Sequence, residues 1–428
     1  MALVQDLCCV MCGRVYDAQA TLYTCEDCGE VGTLDIRYDL PAIKATVDRD
    51  EINAVERANE RLNSSMWRYH ELLPIRDLSQ IPPLSVGGTP LYEAPHLAEN
   101  LRLARLWVKD EGVNPTASLK DRASALVVAH AQAMGYRRVS TASTGNAAAA
   151  LAGITASLAS ELKAVIFVPK SAPVAKITQL QVYGAIVLLV DGTYNEAFDL
   201  CFTLSQQRGW YCRNTGINPY TSEGKKTAAF EIAESLGWQA PTAVIVSVGD
   251  GSIIASLYKG FRELQELGWL DEIPRLIGVQ AEGSNALQQA WKQGTTADCL
   301  QAIQAQTIAD SISADLPRDR AKALRAVKES HGAFVLVSDE EILQAQPELA
   351  RNTGIFAEPA AAATLAGVKR AIRAGVLSAT DEVVLLVTGN GLKDVPAAQR
   401  ATASAGTHRV HHISADLEAA SRTLQDIF

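Results

Sequence analysis

The sequence predicts an α/β protein with two open, twisted parallel-sheet domains and a small N-terminal zinc-ribbon-like module. Two observations carry this prediction. Four cysteines in two close pairs lie within the first 28 residues, and from residue 105 onward short apolar runs alternate with helical patterns. There are too many strand–helix units for one sheet. We divide the chain into a cysteine module (1–38), a large domain (39–122 and 228–428) and a small α/β domain (123–227).

Composition places the chain among ordinary globular proteins. A net charge of −9 argues against nucleic acid or an anionic membrane as the main partner, because both require a basic face. No apolar run reaches membrane-spanning length, and the N-terminus lacks a signal-peptide pattern. The cysteines outside the N-terminal group are scattered and do not form a disulfide framework. We therefore expect a cytoplasmic protein.

The N-terminal cysteines form two C-x2-C pairs. Cys9-Val-Met-Cys12 and Cys25-Glu-Asp-Cys28 are separated by twelve residues, and four thiolates complete a tetrahedral zinc shell. Gly13 and Gly29 follow the pairs, where such turns often need a positive φ. A closed four-sulfur shell predicts a structural Zn²⁺ with no open position for catalysis. The alternative is a vestigial knuckle without metal, and Cys8 is an additional neighbouring thiol.

The body of the chain reads as parallel strands alternating with helices, because continuous apolar runs are typical of strands buried on both faces. Residues 41–80 are predicted to be helical, and Gly87–Leu91 marks a turn. The predicted strands are Arg105–Lys109, Lys163–Val168, Ile186–Val190, Ala243–Val248, Arg275–Val279 and Val383–Val387. The predicted helices are Ala123–Met134, Ala147–Ala159, Ala175–Tyr183, Tyr194–Arg208, Thr227–Leu236 and Ile253–Leu267.

One lysine stands on a short polar turn. Lys120 lies in Asn114-Pro-Thr-Ala-Ser-Leu-Lys-Asp-Arg122, just ahead of the predicted helix Ala123–Met134. The helix dipole disfavours a cation at that end and lowers its pKa. A lowered pKa suits an amine that attacks a carbonyl. A lone lysine is usually solvated, so this interpretation depends on the motifs that follow.

Three polar turns follow predicted strands, where ligands of parallel sheets collect. Ser143-Thr-Gly-Asn146 opens a helix, and a helix N-terminus offers amides to an anion. Gly249-Asp-Gly-Ser252 precedes another helix and suits one phosphomonoester. It lacks both the dinucleotide fingerprint and the Walker A pattern. Thr388-Gly-Asn-Gly-Leu-Lys-Asp394 ends the last strand.

A lysine amine, a cradle for one phosphate and polar turns at strand ends together describe a pyridoxal phosphate site. At these residues the chain resembles the threonine synthases of the fold-type II pyridoxal phosphate enzymes, whose fold is similar to that of the tryptophan synthase β subunit. The family also often carries an N-terminal cysteine knuckle pair. The matching segments are Gly87–Leu91, Asn114–Arg122, Ser143–Asn146, Gly278–Glu282 and Val387–Asp394.

The resemblance implies a role for each motif residue. Lys120 would be the Schiff-base lysine and the catalytic proton shuttle, and Asn146 would hydrogen-bond the cofactor's ring hydroxyl. Thr388 would face the pyridine nitrogen. The cofactor phosphate would be held by Gly249, Asp250, Gly251 and Ser252, and the substrate carboxylate by the backbone amides of Ser143 and Thr144, with Asn146 nearby.

The implied reaction converts O-phospho-L-homoserine and water to L-threonine and phosphate. The partner would thus be a small phosphorylated amino acid, and the resemblance implies a homodimer and two domains that close over the substrate. Three departures keep other reactions open. Thr221 stands where the family commonly has an arginine for the substrate phosphate, Asp250 adds an acid to the phosphate turn, and Ile308–Ala314 lacks an arginine often found there.

Compensating charge could come from four lysines, each of which is interpreted as a solvated surface residue: Lys170, Lys176, Lys225 and Lys226. The competing enzyme class catalyses β-replacement or β-elimination, as in a cysteate synthase or a serine/threonine ammonia-lyase. A non-catalytic metabolite sensor is a third alternative. The presence of Lys120, Asn146 and Thr388 together disfavours a sensor.

Overall fold

The computed structural model describes residues 4–52, 60–404 and 410–427. The N-terminal module is a four-stranded antiparallel sheet in the order β2-β1-β4-β3. The predicted positive φ at Gly13 and Gly29 is confirmed, with values of 74° and 60°. The strands are β1 (Val4–Cys9), β2 (Val15–Asp17), β3 (Thr24–Cys25) and β4 (Gly29–Tyr38).

Residues 41–80, which were predicted to be helical, form only short helices. The first helix ends before Val47, where the backbone becomes extended. A later 3₁₀ turn ends before Leu73, which is also extended and is followed by Pro74. Part of the predicted pattern, residues 53–59, lies outside the described residues. The pieces are α1 (Leu40–Thr46), α2 (Arg49–Ile52), α3 (Glu60–Asn63) and two 3₁₀ turns, Met66–Leu72 and Leu78–Gln80.

A six-stranded sheet forms the centre of the large domain, in the order β13-β12-β11-β14-β6-β5. Five strands are parallel, as predicted. The edge strand β5 instead pairs antiparallel with β6, so the sheet is mixed. Its strands are β5 (Leu91–Glu93), β6 (Arg105–Asp110), β11 (Ala243–Ser247), β12 (Arg275–Ala281), β13 (Ala333–Val337) and β14 (Glu382–Val387).

A second sheet has four parallel strands in the order β10-β7-β8-β9. All four lie between residues 138 and 212, inside the segment assigned to the small domain. The exact boundaries at 122 and 227 stay a prediction. The strands are β7 (Arg138–Ala142), β8 (Lys163–Pro169), β9 (Ile186–Val190) and β10 (Tyr211–Cys212).

Helices cover both sheets, which confirms the α/β architecture. One helix starts seven residues before its predicted start at Thr227, because its buried polar first turns hide the apolar pattern. None of the helices within the described residues is long and apolar enough to cross a membrane. The helices are α4 (Pro95–Leu101), α5 (Lys120–Ala133), α6 (Asn146–Ala156), α7 (Val174–Val182), α8 (Tyr194–Arg208), α9 (Tyr220–Ser235), α10 (Ser252–Glu266), α11 (Ala286–Gln293), α12 (Arg320–Glu329), α13 (Asp339–Thr353), α14 (Pro359–Arg373), α15 (Val395–Ser404) and α16 (Leu417–Ile427).

The cysteine module is attached to the large domain by ion pairs and backbone contacts. Asp35 on β4 pairs with Lys322 and Arg325 on α12, at 3.1 and 2.7 Å. Glu30 pairs with Arg318 at 2.7 Å, just before α12. The module therefore packs beside the loop that precedes α12.

Candidate active site

Lys120 is the first residue of α5, so the helix begins three residues before its predicted start at Ala123. The preceding turn is fixed by side chains. Asn114 accepts a hydrogen bond from the Gly87 amide at 2.9 Å, and Asp121 accepts from the Thr116 amide at 2.7 Å. These bonds place the Lys120 amine at a defined helix start.

The turn that carries Lys120 is bonded directly to the turn that follows β14. The Leu119 amide donates to the Thr388 carbonyl at 2.9 Å, and the Asn390 amide donates to the Ala117 carbonyl at 3.1 Å. Ala117 itself has a positive φ of 64°. The structure thus brings Lys120 and Thr388, two of the predicted site residues, onto adjacent turns.

Burial is the main cause of a lowered pKa at Lys120. Arg213 lowers this pKa further, whereas the carboxylates of Glu358 and Asp250 oppose the shift. Desolvation therefore adds to the helix dipole, which was the cause predicted from the sequence. A lowered pKa keeps more of the amine neutral, which is the form that accepts a proton.

Asn146 begins α6 and contacts a residue that no sequence motif indicated. Its Nδ2 donates to both carboxylate oxygens of Glu358, at 2.9 and 3.0 Å. Glu358 is buried immediately before Pro359, and burial raises its pKa, while Lys120 is among the cations that oppose this rise. Glu358 therefore joins Asn146 and Lys120 as part of the candidate site.

The turn after β7 differs in one respect from its predicted role. The Ser143 amide, expected to bind a substrate carboxylate, donates to the Phe167 carbonyl at 3.1 Å, since the strand pairing of β7 and β8 continues to this point. The Ser143 hydroxyl accepts from the Gly145 amide at 3.2 Å. Thr144 is half-buried and lines the cleft. The carboxylate assignment therefore fits Thr144 better than the Ser143 amide.

The predicted phosphate turn lies at the start of α10. Gly251 has a φ of 87°, and a Cβ there would lie 2.5 Å from the Ala323 Cβ, so glycine is required. A Cβ on Gly249 would meet the Ile312 backbone at 2.8 Å. Asp250 accepts from the Arg318 amide at 3.3 Å through its carboxylate.

Two of the four lysines interpreted as solvated are buried, so that interpretation is wrong for Lys225 and Lys226. Lys226 pairs with Glu223 at 2.6 Å and with Glu263 at 2.7 Å. Lys225 donates to Ser252 Oγ at 2.5 Å, at the phosphate turn. This burial could not be predicted from the local pattern, because two adjacent lysines on a helix usually face solvent.

The other two lysines and Thr221 also have defined positions. Lys170 is exposed and pairs with Asp191 at 2.9 Å, as the surface interpretation predicts. Lys176 is partly exposed in the cleft wall and pairs with Asp310 at 2.7 Å. The Thr221 hydroxyl is buried and donates to the Asn218 carbonyl at 2.8 Å, so its one described bond is to the backbone.

A cleft of about 520 Å³ lies between the loops of the six-stranded sheet and those of the four-stranded sheet. Its walls include Thr116 from the Lys120 turn, Thr144 and Asn146 from the small sheet, and Glu358 and Asn390 from the large one. This volume suits a small-molecule ligand. Two of the predicted site residues, Thr144 and Asn146, thus line one cavity with Glu358. Lys120, Thr388 and the turn of residues 249–252 are not among its lining residues.

Behind the Lys120 turn lies a buried ion network. Arg122 donates to Glu111 and Glu231, each through contacts of 2.7 Å, and Lys109 donates to Glu231 at 2.6 Å. Glu231 also accepts from the Gly88 amide at 2.8 Å. The network joins β6, α5 and α9 and holds the helix that carries Lys120.

The four predicted cysteine ligands converge on one point. Their sulfurs all lie within 4.8 Å of one another, and Cys12 and Cys25 are 3.7 Å apart. Tetrahedral zinc with Zn–S bonds of about 2.3 Å separates its sulfurs by about 3.8 Å. A Cβ on Gly32 would lie 2.5 Å from the Cys28 Cβ. The cluster is thus compatible with a metal ion.

Comparison with known proteins gives a consistent set of similarities. The family model described as pyridoxal-phosphate dependent enzyme matches residues 83–389. The chain is 40% identical over 395 residues to the threonine synthase of Methanocaldococcus jannaschii, covering 92% of this chain and 94% of that protein. It is 39% identical over 389 residues to the threonine synthase of Methanosarcina acetivorans, covering 90% and 91%.

Solved structures with the same fold include two enzymes of more distant sequence. The processed form of threonine deaminase isoform 2 from Solanum lycopersicum has a TM-score of 0.65 at 22% identity, covering 84% of this chain and 95% of that one. Maize serine racemase has a TM-score of 0.62 at 20% identity, covering 76% and 94%. At these identities the likeness concerns the fold alone.

Proposed function

Because the chain belongs to the pyridoxal-phosphate-dependent enzyme family, we propose that it is a lyase that converts O-phospho-L-homoserine and water to L-threonine and phosphate. The observation that carries this proposal is the identity of 40% to a threonine synthase over nearly the whole chain. The substrate would enter the cleft between the two sheets. There it would meet groups from the Lys120, Ser143 and Thr388 turns.

The turn at the start of α10, which is not among the residues that line the cleft, suits the phosphate of pyridoxal phosphate. Gly251 turns the chain into α10, whose first amides have no acceptor within the helix, and Lys225 places a buried cation at Ser252. We propose that Gly249, Asp250, Gly251 and Ser252 hold the cofactor phosphate through this turn. Thr388, a neutral residue on the turn bonded to the Lys120 turn, would face the pyridine nitrogen.

When bound, pyridoxal phosphate draws electron density away from the substrate α-carbon. The chain supplies the proton transfers. Lys120 would take a proton from the substrate Cα, and a second proton would leave Cβ as the phosphate departs from Cγ. Protons would then return to Cγ and Cα while water adds its hydroxyl at Cβ. The lowered pKa of Lys120, which is caused by burial, favours the neutral amine needed for the first of these steps.

Asn146 and Glu358 would orient the bound groups. The Asn146 Nδ2 is occupied by Glu358, so Oδ1 is the atom left to accept from the cofactor's ring hydroxyl. Thr144 would receive the substrate carboxylate on its amide, beside the Ser143 hydroxyl. Glu358 acts through Asn146 and is a positioning residue.

Thr221 favours a second candidate, a β-replacement or β-elimination enzyme, because it offers no guanidinium for the substrate phosphate. Three incubations separate the candidates: phosphohomoserine, phosphoserine with sulfite, and threonine. The products to measure are threonine with phosphate, cysteate, and 2-oxobutanoate. We expect threonine from phosphohomoserine, and a preparation that yields only cysteate or 2-oxobutanoate would overturn the proposal.

Lys120 is tested by trapping and substitution. Borohydride reduction of the holoenzyme should attach the cofactor to the peptide that contains Lys120. Lys120→Ala should abolish turnover with the fold retained, whereas Lys170→Ala, which removes an exposed lysine, should leave turnover unchanged. Labelling of any other peptide would contradict the assignment.

We also propose that Cys9, Cys12, Cys25 and Cys28 hold a structural Zn²⁺. Their sulfur spacing and the absence of room beside Gly32 support this, since the shell is closed on that side. Elemental analysis of the purified protein should find one zinc per chain. Absence of metal from fully folded protein would leave the vestigial knuckle as the correct interpretation.

Three broader predictions extend the proposal: the division at residues 38, 122 and 227, a homodimer, and a cytoplasmic location. The confinement of the second sheet to residues 138–212 supports the division. Light scattering should give twice the chain mass of 45.8 kDa. Cell fractionation tests the location.

A further inference from the structure

Arg213 is a fully buried arginine that contacts no carboxylate among the described residues. It follows β10, at the carboxyl end of the small sheet. Nε donates to Ser124 Oγ at 3.3 Å and Nη1 to Thr215 Oγ1 at 2.6 Å, while Nη2 is buried without a described acceptor. A buried guanidinium with only hydroxyl partners is costly, and an anion would stabilise it.

Lys225 is a second buried cation of this kind. It is 1% exposed, and its described hydrogen bond is to Ser252 Oγ. The adjacent Lys226 differs, because two glutamates neutralise it. Arg213 and Lys120 both lie within electrostatic range of Lys225 and disfavour its charge. Lys120, Arg213 and Lys225 therefore lie within electrostatic range of one another, although none of the three is among the residues that line the cleft.

The acidic groups nearby form no described ion pair with Arg213 or Lys225, although Asp121 lies within electrostatic range of Arg213. Asp250 and Asp319 act on Lys225 only at a distance, and neither forms a described ion pair with it. Asp250 uses its carboxylate on the Arg318 amide at 3.3 Å. Both side chains are thus buried with hydroxyl partners and without a bonded carboxylate among the described residues. A phosphate dianion, with up to two charges and several acceptor oxygens, matches these free donors and the planar donor set of arginine.

We propose that Arg213 and Lys225 together bind a phosphate monoester. This is either the cofactor phosphate or the substrate phosphate, and in the second case the two side chains supply the cationic contact that Thr221 does not. The inference rests on the proposed function, because a phosphorylated cofactor and a phosphorylated substrate would both occupy this cleft. Arg213 lies directly after β10 and Lys225 lies on α9, so the guanidinium comes from a different part of the chain from the helix that carries Thr221.

Holoenzyme variants test this directly. Arg213→Gln and Lys225→Gln remove each charge, and Arg320→Gln is a matched control, because Arg320 is buried but donates to the carbonyls of Ala297 and Pro317. Calorimetric titration with inorganic phosphate measures the Kd of a site for the substrate phosphate. The rate of cofactor release after dilution, which is monitored through the absorbance of the bound cofactor, reports on a site for the cofactor phosphate.

We expect at least one of these quantities to change by about tenfold in both variants, since a charge-assisted hydrogen bond is lost, and neither to change in the control. A weaker phosphate Kd with unchanged cofactor release identifies the substrate phosphate, and the reverse identifies the cofactor phosphate. Unchanged values for both in folded variants overturn the proposal. Arg213→Lys provides a second, charge-retaining variant for the case in which the glutamine variant does not fold.

The result is independent of turnover. If the wild-type protein makes no threonine but the variants lose phosphate binding, the anion site is supported and the proposed substrate is rejected. If the protein makes threonine but the variants keep their affinities for phosphate and cofactor, the proposed substrate is supported and the anion site is rejected.

Discussion

Glu231→Gln should destabilise the protein strongly. The Glu231 carboxylate is buried and accepts from Arg122 through two contacts of 2.7 Å, from Lys109 at 2.6 Å, and from the Gly88 amide. The substitution keeps the shape but removes the charge. Arg122 retains Glu111, whereas Lys109 loses its only described carboxylate partner.

The expected loss is about 3–5 kcal/mol of unfolding free energy, the cost of breaking a buried ion pair on one side. Acidification gives a second signature. Arg122 and Lys109 hold the pKa of Glu231 well below its usual range despite burial. Because the folded pKa is below the unfolded one, the stabilisation is complete above the usual glutamate pKa and is lost as pH falls through the folded pKa. The variant and wild type should therefore converge only under strongly acidic conditions.

Urea unfolding at fixed cofactor concentration measures the difference. The control is Glu266→Gln on α10, a half-exposed carboxylate that pairs with Arg262 at 3.2 Å and should cost less than about 1 kcal/mol. The reasoning is refuted if the two variants differ by less than about 1 kcal/mol at neutral pH.

Three further predictions concern the cleft and the module. Gly251→Ala should lower the free energy of unfolding by about 1–3 kcal/mol, because of backbone strain and a clash with α12, and should speed cofactor release. The control is Gly209→Ala, which is also at positive φ but in open space, and which should therefore lose only the stability that the strain costs. Glu358→Gln should lower kcat about tenfold through a misplaced Asn146 amide, with a shifted pH–rate profile and retained fold; an unchanged profile would contradict this role. Cys12→Ser should reduce zinc content and lower the thermal midpoint, and equal zinc in the variant would exclude Cys12 as a ligand.

The features that could be predicted from sequence are those determined by neighbours in the chain. The apolar runs gave the strand Ile186–Val190 and the helix Tyr194–Arg208 with the bounds that the structure has. The glycines after each cysteine pair required positive φ for local reasons. Lys120 and Thr388 were indicated by turns at strand or helix ends, where parallel topology brings residues together.

The features that were missed depend on distant chain segments. Glu358 reaches Asn146 across 212 positions, and the intervening residues carry no pattern that records the contact. Lys225 is buried because α9 lies between α5 and α10, so its whole first half is enclosed. Arg213 follows a two-residue strand, which is too short for a repeating pattern of apolar residues to reveal it. Burial of polar groups is a tertiary property and leaves little trace in local sequence.

The segment before α12 links two parts of the molecule that lie far apart in sequence. Its Arg318 side chain bonds to Glu30 on β4, while the amides of Arg318 and Asp319 bond to Asp250. One short loop therefore has the cysteine-bearing sheet on one side and the start of α10 on the other. We therefore expect that oxidation of the thiols, or removal of a metal from them, would weaken the retention of vitamin B6 as well as unfold the cysteine module locally.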